Sequence, residues 1–118
     1  MFNFEKLDVW PKAIDFADLV YNCTRDFPAD ERFGLTNQTR RAAVSISLNI
    51  AEGTSRMSQT DFRRFIEITT GSVFEMISQA FVARRQGVLS EHKFHATYAA
   101  AQEVGRMLSG LRKSLTQK

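Results

Sequence analysis

A chain of 118 residues with 43% hydrophobic and 25% charged side chains has the composition of one globular domain, excluding a disordered chain. No apolar run nears the ~20 residues of a membrane span, and the start, Met1-Phe2-Asn3-Phe4-Glu5-Lys6, lacks the basic head and apolar stretch of a secretory leader. The lone Cys23 excludes an internal disulfide, so a cytoplasmic protein with no membrane partner is expected.

The breakers divide the chain into four helices. Asp8 is placed to cap the first, with Pro11 tolerated in the first turn and Trp10, Ala13, Ile14, Ala17, Val20 and Tyr21 recurring at helical spacing. That helix should stop near Thr24, ahead of Phe27-Pro28. Gly34-Leu35-Thr36 opens the second, with Thr36 as cap; it runs to about Glu52, and Gly53 suits the left-handed position after a helix end. Ser58-Gln59-Thr60-Asp61 resembles a capping box and starts the third helix, which continues to about Gln86 and ends at Gly87. Ser90 followed by Glu91 caps the fourth, whose seam is Phe94, Tyr98, Ala101, Val104, Leu108, Leu111 and Leu115. Short loops between long helices predict an all-α fold, a single antiparallel up-down four-helix bundle over residues 1–118.

Two faces exceed what a simple bundle needs. On the second helix, Gln38, Arg41, Ser45, Asn49 and Glu52 form one polar stripe at 100° per residue. Apolar residues flank it on both sides, including Ala42, Ile46 and Ile50 on one and Val44, Leu48 and Ala51 on the other. A stripe bordered this way is expected to be buried or half-buried, as a structural network bonded to other helices or another subunit, because unpartnered groups would cost ~1–3 kcal/mol each. Arg41 and Glu52 lie about 16 Å apart along the axis, so neither serves the other. On the third helix, Phe62, Phe65, Ile66, Thr69, Val73, Met76, Ile77 and Ala80 complete a core face. Phe74 and Phe81 share another side beside Gly71 and Ser78. Either these aromatics pack under the fourth helix or they form a self-association surface, and the second reading is preferred.

Charge is uneven along the chain. Residues 1–30 hold three basic and six acidic side chains; the remainder holds 13 basic and seven acidic, and 11 of the 16 basic residues are Arg. Such a field attracts polyanions. The expected nucleic-acid contacts are Arg56, Arg63, Arg64 and Arg85, with Arg112 and Lys113 on the fourth helix and Arg40 opposite the polar stripe.

The search for chemistry returns little. His92 and His95 lack an acidic or thiol partner in a metal-ligand spacing, Cys23 reads as a small core residue, and no phosphate-binding glycine loop or nucleophile elbow is present. Neither a cofactor nor a catalytic residue is predicted. Arg85 and His92 repeat the Arg-to-His spacing of the helical HEPN ribonucleases, but a helix break at Gly87 and Ser90 falls inside it.

Phe33-Gly34-Leu35-Thr36, Gln38, Arg40-Arg41-Ala42-Ala43-Val44-Ser45-Ile46 and Asn49-Ile50-Ala51-Glu52-Gly53 resemble the signature of one family. It is the bacterial four-helix-bundle family encoded in intervening sequences of 23S rRNA genes, which includes the accessory variability determinant of diversity-generating retroelements. Leu7-Asp8-Val9-Trp10, Arg56, Ser58, Asp61-Phe62, Arg64-Phe65 and Gly71-Ser72 extend the likeness over roughly residues 4–90. Thr69-Thr70 departs from it, since the family tends to carry Ala beside that Gly. The resemblance implies a homopentameric barrel with a nucleic-acid-binding basic surface, no catalytic residues and, for retroelement members, a reverse transcriptase partner. The function expected is therefore a non-enzymatic, oligomeric protein binding RNA or DNA through phosphates. A protein-interaction scaffold and a HEPN-like ribonuclease are the alternatives.

Overall fold

Ser58 and Ser90 do at the helix starts what their sequence positions promise. In the computed structural model, which describes residues 1–116, Ser58 Oγ accepts from the Asp61 N–H at 3.0 Å and Ser90 Oγ from the Lys93 N–H at 3.2 Å. They open α3 (Gln59–Arg85) and α4 (Glu91–Thr116). Gly87, with φ of 78°, turns the chain between them, and the Val88 N–H closes back on the Ala83 carbonyl at 3.0 Å.

Three predicted punctuation residues act differently. Asp8 precedes α1 (Val9–Thr24) in helical dihedrals, so its carboxylate makes no cap bond. Thr36 likewise bonds nothing at the start of α2 (Asn37–Thr54), because the chain already winds through Arg32–Thr36. The Glu31 carboxylate takes the Leu35 N–H there instead, at 3.4 Å. Gly53 is not a left-handed cap: it lies inside α2, buried. A Cβ on Gly53 would stand 2.9 Å from Phe65 Cβ and 3.0 Å from Phe62 Cδ1, so the missing side chain lets α2 and α3 meet at their shared end.

The helices pack in chain order, and α4 closes back on α1, giving an antiparallel up-down bundle of 47 × 21 × 21 Å. Lys12 to Glu103 (3.7 Å) and Asp26 to Lys93 (2.9 Å) bridge α1 and α4 at the surface, and Glu67 to Arg112 (2.7 Å) bridges α3 and α4. The core is filled by Phe16 and Val20 of α1, Ile46 and Ile50 of α2, Ile66 and Met76 of α3, and Phe94, Val104 and Leu108 of α4. No described helix is long and apolar enough to cross a membrane.

The Asp26–Lys93 pair joins the turn after α1 to the start of α4 and carries a pH dependence. The Lys93 ammonium, donating to Oδ2, holds the exposed Asp26 carboxyl below its usual value of 3.8. A depressed carboxylate contributes stability above its unfolded value and loses it as pH falls through the folded one. Lys93→Met is therefore expected to reduce the drop in urea midpoint between neutral pH and about pH 2, modestly because the pair is exposed. An unchanged drop would show that the pair contributes nothing.

Candidate nucleic-acid interface

Antiparallel packing brings the end of α2, the start of α3 and the end of α4 together, and five of the seven predicted cationic contacts stand there. Arg56, in the turn after α2, folds back onto Glu52 Oε2 at 2.7 Å and lies over the Phe65 ring at 4.5 Å. Arg112 gives its guanidinium to Glu67 Oε2 at 2.7 Å. Arg63, Arg64 and Lys113 form no ion pair among the described residues; Arg64 and Lys113 are exposed and Arg63 half-buried. The end thus holds two neutralised arginines and three cations available to an outside anion, with Asp61 nearby in the first turn of α3.

Arg40 and Arg85 are not part of this cluster. Arg85 ends α3, about 31 Å along the axis from Arg64. Arg40 donates from Nε to Thr24 Oγ1 at 2.8 Å and lies over Tyr21 at 4.5 Å, strapping α2 to α1. It was expected as a phosphate contact, but that strap engages it within the chain. Arg84, not singled out by sequence, lies 3.9 Å from the Phe94 ring centre and 5.2 Å from that of Phe81, and pairs with Glu91 at 3.6 Å. His95 also meets Glu91, at 3.3 Å, whereas no hydrogen bond or ion pair joins Arg85 to His92. Among the described residues no three His, Cys, Asp or Glu side chains group as metal ligands.

The polar stripe of α2 is less buried within the chain than its flanks suggested. Ser45 donates to the Ala42 carbonyl at 2.7 Å and stands 3.0 Å from Ser72 Oγ, the stripe's one bond to another helix. Asn49 donates to the Ser45 carbonyl at 2.9 Å. Gln38, Arg41 and Glu52 are exposed; Glu52 holds Arg56, and no side-chain bond is formed by Gln38 or Arg41 among the described residues. The reason is the partner surface: α3 answers with its own polar row, Ser72, Glu75 and Gln79, so the seam opens into a groove of about 320 Å³. That row recurs at i, i+3 and i+7, a spacing that could have been read from the sequence.

Phe74 is 73% exposed and Phe81 43%, with Gly71 and Ser78 also exposed. Phe81 packs edge-on against Phe94 at 4.9 Å, so it lies partly against α4; Phe74 rims a groove of about 290 Å³ with Ile77, Tyr98 and Gly105. Leu48, a flank of the polar stripe, and Ile68 are 62% and 48% exposed and add apolar surface on α2 and α3.

The family model described as 23S rRNA-intervening sequence protein matches residues 5–110. Among solved structures, one from Bacteroides thetaiotaomicron VPI-5482, described as a protein with unknown function from the S23 ribosomal protein family, superposes with a TM-score of 0.82. It is 21% identical, over 89% of this chain and 95% of that one, and so shares the fold. No curated protein matches the sequence.

Proposed function

The chain belongs to the 23S rRNA-intervening sequence protein family, and on that footing we propose that it is a non-enzymatic, homo-oligomeric protein that holds RNA or DNA by phosphate contacts. The observation that carries this reading is the grouping of Arg63, Arg64 and Lys113 at one end of the bundle, without carboxylate partners among the described residues, beside the anchored Arg56 and Arg112. Cations held apart from internal carboxylates are the ones that displace counterions from a nucleic acid. Assembly supports the same reading, since repeated cationic ends in one particle raise avidity without any new contact. The exposed Phe74 and the groove beside it supply apolar surface for that assembly, taken as the pentamer the family resemblance implies.

The test joins light-scattering mass to binding titrations with RNA and DNA across salt. The expected result is a particle of several chains whose log affinity falls linearly with log salt, by about 0.9 per phosphate neutralised on duplex and 0.7 on single strands. A discrete oligomer that binds neither at low salt would refute the reading and turn attention to a protein partner. Phe74→Glu is expected to lower the particle mass while leaving the helical signal of the monomer intact. Unchanged mass would remove Phe74 from the interface.

A further inference from the structure

The groove between α2 and α3 has features of a binding site that phosphate contacts do not use. It is lined by Gln38, Arg41, Ala42 and Ser45 from α2 and by Glu75 and Gln79 from α3, and its volume of about 320 Å³ falls within the range of ligand clefts. Arg41 and Glu75 line the same space, and neither forms an ion pair among the described residues, so a cation and an anion are both presented to a third party. The Gln79 Oε1 is sealed from solvent with no donor in reach. Buried carbonyls are almost always partnered, so this one calls for a donor that the chain itself does not supply, from water or from a bound molecule. The carboxamide torsion is soft, so a small turn offers that oxygen to anything entering the groove.

We infer that this groove takes the unpaired edge of a guanine base from single-stranded nucleic acid, a step that rests on the nucleic-acid reading above. Guanine alone among the bases carries two adjacent donors, N1–H and N2–H, which a carboxylate accepts together, as Glu75 can. Its O6 and N7 are the acceptors that arginine recognises, as Arg41 can. Gln79 Oε1 and the Gln38 amide are left for the remaining donor and acceptor positions. Adenine and cytosine set an acceptor beside their amino group and would point it at Glu75. In a duplex the edge is already paired, so the site selects single strands.

The experiment compares an all-adenine single-stranded RNA with the same oligomer carrying one central guanine, by fluorescence anisotropy at low salt. The guanine oligomer should bind about tenfold tighter, the discrimination typical of one bidentate pair. Glu75→Ala should abolish that preference yet bind the all-adenine oligomer at least as tightly as the parent, because an anion has left a polyanion-binding surface. Gln79→Leu should also lose the preference while melting no lower than the parent, since it removes an orphaned polar group. Equal affinity of the parent for the two oligomers overturns the inference but leaves the nucleic-acid reading standing. Failure to bind either overturns both. A fall in particle mass for Gln79→Leu means that a second copy fills the groove, and the base assignment is then wrong.

Discussion

Gly53→Leu is expected to destabilise the protein by about 3 kcal/mol, the upper part of the range for forcing volume into a packed contact. Even a single methyl at Gly53 would stand 2.9 Å from Phe65 Cβ, an atom fixed to the α3 backbone, whereas the Phe62 ring at 3.0 Å can swing aside. A leucine must therefore move α3 itself. Gly53→Ala separates the two effects: helix propensity returns about 1 kcal/mol, so a net loss near 1 kcal/mol is expected in urea unfolding. A gain would show that α3 yields. The displacement has a functional side, because Arg56 stacks on Phe65 and Arg63 and Arg64 stand on the same first turns of α3. Loosening this end should weaken nucleic-acid binding even where the leucine variant stays folded.

Gly53 also shows where sequence reading reaches its limit. A glycine at the end of an apolar helix reads equally as a left-handed terminator or as a point of close approach. Only the position of Phe62 and Phe65 on the next helix decides between them. Ser58, Ser90 and Gly87 were legible because capping is local: donor and acceptor lie three residues apart at the two serines and five apart around Gly87. Thr36 departs from its expected role because the chain ahead of it already winds through Arg32–Thr36, and Asp8 because its own dihedrals are helical, the extended residue before α1 being Leu7. The cationic residues divide the same way. Composition revealed the basic excess, but which arginines are committed depends on carboxylates and rings far along the chain. Arg112 meets Glu67 across 45 positions and Arg40 meets Thr24 across 16. The polar stripe was legible as unusual and not as a groove, since its opposite wall belongs to α3.

Replacing Arg63 and Arg64 together by glutamate is expected to weaken duplex binding by roughly 60-fold at 0.1 M salt from the lost counterion release alone, and further through repulsion of phosphates. The salt slope should fall by about 1.8, two contacts at 0.9 each. This is the largest functional effect expected of any substitution here, because these arginines have no ion pair to break among the described residues. Arg112→Gln should cost less, since its guanidinium is already shared with Glu67. Arg85→Glu, about 31 Å away at the other end of α3, serves as the control for position. If Arg85→Glu lowers affinity and slope as much as a single reversal at Arg63 or Arg64, the nucleic acid lies along the whole bundle. If only the Arg63 and Arg64 reversals do so, the strand is gripped at the end where α2, α3 and α4 converge. A path from that end toward Glu75 and Gln79 would then run along α3, past Ile68 and Ser72, which makes the guanine preference and the charge reversal separable in one titration series.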